Sequence, residues 1–272
     1  MSANDSSQFQ LVNEKGWRRG LGNLLQGEYS AWFKSSRWWK HLLIWFVAVN
    51  VMMAIMVIAS IQEAKRGNEG PPPLLMYGIF GGMFVSFGVM VIMQRVLVRE
   101  KQQGTAAWVL SKPVTRTAFV VSRLVVNTIA ILLTAVFVPG VIVYLTLGLF
   151  SEIGWLSPFG FAAALVMVSL TTFYWITLVL MMGTLSDSSS VVLAVPITLF
   201  FIFAYGPGLV PALVHISPLM LTFSPAPDQI NSLAGSFMTG APVFSWLPLI
   251  STLVSCVIFI AVAIWRFDRQ EF

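Results

Sequence analysis

The residues of this chain best equipped for chemistry lie between Arg95 and Arg123. Six of its sixteen Lys and Arg side chains fall there, although only 10% of all residues are charged. The middle of the stretch reads Arg99-Glu100-Lys101-Gln102-Gln103-Gly104-Thr105, and Leu110-Ser111-Lys112-Pro113-Val114-Thr115-Arg116 follows. Charges and amides at this density make ion pairs and hydrogen bonds with a soluble surface. They supply no activated nucleophile and no metal-ligand set. The island is wedged between two long apolar runs, and charge is costly in hydrocarbon. It must therefore stand outside the bilayer, where it can hold a soluble partner.

Other chemistry is poorly served. His41 and His215 stand far apart and lack metal-ligand spacing, so no metal site is expected. The single Cys256 gives no disulfide framework. No Gly-x-x-x-x-Gly-Lys-Ser/Thr string exists, which removes that route to nucleotide binding. The expected spans carry no ionisable side chain at their middles, where ion-coupled carriers usually place one. A net charge of +5 could suit nucleic acid, but its distribution follows membrane topology, and no nucleic acid is expected. The chain is read as a non-enzyme with no directly bound cofactor.

The elements that position the island are apolar. The chain is 57% hydrophobic with mean hydropathy +0.82, against roughly 45–50% apolar in soluble domains. Residues 41–62, 70–94, 124–151, 153–186, 188–227 and 229–265 contain no Asp, Glu, Lys or Arg. Each block meets the ~20 residues that a helical span requires, and only a helix satisfies its own backbone there. The expected architecture is an all-α integral membrane protein. Its six spans are placed near residues 41–61, 74–95, 118–147, 156–184, 190–212 and 244–265, with a cytoplasmic arm at 1–40 and a tail at 266–272. The arm shows no signal-peptide pattern.

Fourteen of the sixteen cations fall in the arm, the loop after the second span and the tail, all on one side of a six-span chain. The positive-inside rule makes that side, and both termini, cytoplasmic. Residues 17–34 read as an amphipathic helix, with Trp17, Leu21, Leu24, Leu25 and Trp32 on one face, as an interfacial helix or a short helix packed on a partner protein would show. Glu28 falls on that apolar face and fits it badly. Trp38, Trp39 and Trp45 mark the membrane entry. The external connections are residues 62–73, 148–155 and 213–243. The last contains Pro218, Pro225, Pro227 and Pro242, yet Leu219, Met220, Leu221 and Phe223 make it too apolar for a free loop. Short helices lying on the membrane surface are expected there.

Glu100, Gly104-Thr105, Trp108-Val109-Leu110, Pro113 and Arg116, leading into a third span at Phe119-Val120, form an ordered pattern. In this the chain resembles the membrane subunit of an ATP-binding-cassette transporter, of the type-2 permease family that serves mainly export. The resemblance implies a cytoplasmic coupling helix in which Arg99, Glu100, Lys101, Gln103, Gly104 and Thr105 meet a separate nucleotide-binding ATPase. Trp108, Val109 and Leu110 would anchor it to the bundle. ATP and magnesium would be held by that partner. Asp187, in the short loop 184–190, would add a contact or cap the fifth helix. The resemblance also implies a second permease copy or paralogue, contact with membrane lipids, and the bacterial cytoplasmic (inner) membrane. It makes Phe200, Phe201, Phe203 and Tyr205 gate candidates, although packing alone accounts for them too. An apolar route suits a hydrophobic or amphipathic cargo, since polar cargo needs partners where water is absent. The rival expectation is a six-span assembly protein that recruits a soluble partner without transport.

Overall fold

The computed structural model describes residues 15–70, 72–151, 154–224 and 230–270. Pro71, Pro225 and Pro227, the first fourteen residues of the arm and the last two of the tail lie outside them. A helix at Leu21–Phe33 precedes six helices long and apolar enough to cross a membrane. These run Arg37–Lys65, Pro73–Gln102, Arg116–Phe150, Pro158–Leu185, Ser189–Gly208 and Leu247–Asp268, and are called the first to sixth spans. Among the described residues there is no strand. The protein is an all-α membrane protein with six candidate spans.

Local chemistry sets the boundaries. Thr115 caps the third span, its Oγ1 accepting from the Ala118 amide at 3.2 Å. Ser157 caps the fourth from just before Pro158, a proline placed where no amide is needed. The fifth span stops being α-helical at Tyr205 because Gly206-Pro207-Gly208 tightens into a 3-10 turn. It therefore ends short of the 212 expected from hydropathy. The third span widens into a π turn at Leu132–Phe137, just before Pro139. Proline has no amide for the carbonyl four residues back, and the wider turn accommodates that loss. Polar side chains inside the spans bond back to their own helix. Ser86 donates to the Gly82 carbonyl, Thr134 to Ala130, Thr172 to Val168 and Thr252 to Pro248.

The fourth span is the central post. In its most apolar window 67% of residues are buried, against 22% in the fifth and sixth, whose outer faces are left for lipid or another chain. Trp175 at its centre packs against Phe200 of the fifth span, with ring centroids 5.7 Å apart. The second, fifth and sixth spans all contact this post. At Gly88 of the second span the Trp45 ring comes so close that an added Cβ would overlap it.

The segment joining the fifth and sixth spans is not spread on the membrane surface. Its 3-10 turn Pro218–Leu221 is fully buried, with Leu219, Met220 and Leu221 at 0% exposure. Thr171 of the fourth span donates to the Pro218 carbonyl at 3.1 Å. The helix Leu233–Thr239, capped by Ser232 and ended by Gly240 in the left-handed region, packs on the same post. Interfacial helices were expected here; the apolar residues instead plug the end of the bundle. Hydropathy reads alike for a residue facing lipid and one facing protein, so the sequence could not separate the two.

The other end of the bundle is polar and stitched together. Thr115 donates through Oγ1 to the Trp17 carbonyl at 2.5 Å. Arg116 donates to the Asp268 carbonyl, and Gln270 to the Thr184 carbonyl at 2.6 Å. Phe119 and Phe267 stack with planes 8° apart. The arm, both loops on this side and the end of the sixth span thus form one layer.

Candidate functional site

The island folds as two short helical pieces around a turn. The end of the second span, Val98–Gln102, stops at Gly104, whose φ of +68° lies in the left-handed region. The second piece, Thr105–Leu110, starts there at a new angle. Nothing lies within 4 Å of a Cβ added at Gly104, so the requirement for glycine is one of backbone conformation alone. Replacing Gly104 by Ala should therefore cost only about 1 kcal/mol of stability, read as a small drop in unfolding midpoint. A loss beyond about 3 kcal/mol would mean that the turn is packed more tightly than this geometry allows.

The sequence-predicted residues divide into two sets. Arg99, Gln103, Gly104 and Thr105 are exposed. Glu100 and Lys101 turn inward. Lys101 Nζ meets Asp187 Oδ1 at 2.6 Å and donates to the Ser186 carbonyl at 3.2 Å, while Gln102 donates to the Asp187 carbonyl at 2.8 Å. Asp187 therefore joins the two loops of the polar end. It does not cap the fifth helix: the residue at the N-cap is Ser188, which makes no side-chain cap bond.

Glu100 closes a buried ion junction. Arg123, in the third span with its side chain 9% exposed, grips Glu100 with two bonds, Nη2 to Oε1 at 2.6 Å and Nε to Oε2 at 3.1 Å. Its other terminal nitrogen, Nη1, pairs with Oε1 of Glu28. The guanidinium fork suits two carboxylates at once. Four residues on from Glu28, Trp32 is buried and donates from Nε1 to Asn127 Oδ1 at 2.9 Å. This explains the carboxylate on the apolar face of the N-terminal helix. Leu24, Leu25, Glu28 and Trp32 face the bundle, so that face is held by the protein's own third span. Sequence reasoning missed Arg123 as the centre; the misplaced Glu28 was the available signal.

It also misplaced Trp108, expected as an anchor. Val109 and Leu110 do pack against the core, but Trp108 is 65% exposed, with the Lys112 ammonium 5.0 Å from its ring centroid. Of the gate candidates, Phe200 is a core residue, with its ring 4.1 Å from that of Phe87. Phe203 is half-buried, while Phe201 and Tyr205 are exposed and stack on one another. Phe200, Phe201 and Tyr205 follow one another in ring contact along the fifth span, with centroids 5.9 Å and 6.0 Å apart. No group of three or more His, Cys, Asp or Glu that could hold a metal occurs among the described residues.

A family model described as ABC-2 family transporter protein matches residues 36–272. The chain belongs to the ABC-2 transporter family. No curated protein matches it. Membership makes this ABC-2 protein the membrane-spanning component of an ATP-binding-cassette transporter, a component that in this family works with an ATP-binding subunit. The matched region spans all six candidate spans and the loop between the second and third.

Proposed function

We propose that this chain is an exporter permease driven by a separate ATPase that docks on the turn from Arg99 to Trp108. The observation that carries the reading is the split within that turn. Arg99, Gln103, Thr105 and Trp108 face solvent, while Glu100 and Lys101 bolt the same few residues to the third span and the second loop. A force applied at the exposed face is thereby transmitted to two elements of the bundle. The excess of positive charge supports a cytoplasmic position for this end, in a bacterial cytoplasmic membrane. Phe201 and Tyr205, exposed on the fifth span, supply apolar surface for a second permease copy or paralogue. The apolar spans favour a hydrophobic or amphipathic cargo.

The test is co-expression with a candidate ATP-binding subunit, followed by ATP turnover in the purified complex. Replacing Arg99 and Trp108 together by Ala should reduce both complex yield and turnover at least tenfold, a loss of about 1.4 kcal/mol or more. The exposed pair Phe159 and Leu209, changed likewise to Ala, serves as the comparison. Unchanged assembly and turnover in the Arg99/Trp108 variant would reject docking at this turn.

A further inference from the structure

A cleft of about 570 Å³ opens beside the ion junction, between the N-terminal helix and the first three spans. Its charge is lopsided. Arg37, Lys40, Arg95, Arg99 and Arg123 line it against only Glu28 and Glu100, a surplus of three positive charges. Arg123 is occupied by both carboxylates. The other four cations form no ion pair among the described residues, and Arg99 is shared with the exposed turn proposed above for docking. Four unpaired cations around one concavity repel each other, and an anion seated among them relieves that repulsion.

We propose that this cleft binds the phosphate of an anionic phospholipid headgroup. The first argument is depth. Arg37 and Lys40 start the first span, while Arg95 and Arg99 lie where the second leaves the apolar region. The cleft thus lies at the headgroup plane by construction of the fold, beside exposed Trp38 and Trp39. Basic pockets between transmembrane helices at this level bind anionic headgroups. The second argument is the lining. Ile92, Val96 and Trp32 give the cleft carbon as well as charge, which an acyl-bearing ligand can use and a free ion cannot. The third is His41, which also lines the cleft. Its ring packs edge-on to Trp32 at 5.0 Å and adds a polar side chain to the lining. Arginine guanidinium groups match phosphate oxygens in pairs. The proposal is independent of transport, because it concerns what the resting protein retains.

The experiment reads lipid retained by the purified full-length chain in native mass spectrometry, with thermal unfolding alongside. Three probes are compared: phosphatidylglycerol, phosphatidylcholine and inorganic phosphate at matched ionic strength. The expected result is one phosphatidylglycerol retained per chain, at least threefold above phosphatidylcholine, with a rise in midpoint that inorganic phosphate does not reproduce. Arg37→Gln with Arg95→Gln should lower retention to the phosphatidylcholine level, and Arg37→Lys with Arg95→Lys should keep most of it. Lys34→Gln with Lys112→Gln removes two charges outside the cleft and should leave retention intact. Equal retention of the two lipids, equal loss in the Lys34/Lys112 pair, or full protection by inorganic phosphate would each overturn the proposal.

Discussion

Replacing Arg123 by Met should lower the unfolding midpoint in detergent by on the order of 10 °C, the largest effect expected of any single substitution. The side chain sits 9% exposed between carboxylates that are themselves only 19% and 20% exposed. Removing one member of a buried ionic group leaves its partners charged and desolvated, at a cost of about 3–5 kcal/mol. For a chain of this length each kcal/mol is worth roughly 2–4 °C. The sign can be reversed. Neutralising the partners as well, in the triple variant Glu28→Gln, Glu100→Gln, Arg123→Met, should recover most of the loss, because the penalty belongs to the stranded charges. Arg123→Lys should fall between, since one ammonium cannot fork two carboxylates. A midpoint within about 1 °C of the parent in the Met variant would show that water already solvates this junction.

The second large effect is expected where backbone meets backbone at the opposite end. A Cβ added at Gly78 would stand 2.3 Å from the Thr222 carbonyl oxygen, and one at Gly160 would stand 2.3 Å from that of Phe237. Neither oxygen can rotate away as a side chain would. Gly78→Ala and Gly160→Ala should each displace the plug formed by Pro218–Leu221 and Leu233–Thr239, costing about 1–3 kcal/mol. The two contacts hold different parts of that plug, so the double variant should lose about the sum. Gly27 is the internal control. It lies mid-helix and exposed, with nothing within 4 Å of an added Cβ. Gly27→Ala should raise the midpoint by the propensity gain of about 0.5–1 kcal/mol. If all three alanines shifted the midpoint in the same direction, the close approach would not be the cause.

What the sequence disclosed follows from which physical signals are local. Six charge-free blocks announce six spans because lipid forbids unpaired backbone and charge. The turn at Gly104 is legible because left-handed backbone selects glycine. The direction of Trp108 is not legible, because a helix of six residues is under two turns long and defines no face. Burial of Leu219, Met220 and Leu221 was hidden for a different reason: protein interior and lipid ask for the same side chains. The Arg123 junction is the most instructive case. Glu28 and Arg123 belong to no motif and Glu100 was legible only as part of the loop pattern, so only the wrong-face position of Glu28 hinted that a counter-charge would arrive from elsewhere in the chain.

The junction also fixes an order of events during biogenesis. Glu28 and Trp32 leave the ribosome early, and the Asn127 that accepts the Trp32 hydrogen bond is synthesised 95 residues after that tryptophan. Until the third helix has entered the membrane, neither carboxylate has its cation, and both must stay hydrated. The N-terminal helix therefore cannot settle onto the bundle when it is made. Its paired position is completed only once Arg123 and Asn127 have been synthesised. The same guanidinium that stabilises the finished protein thus ties three segments of its first half together.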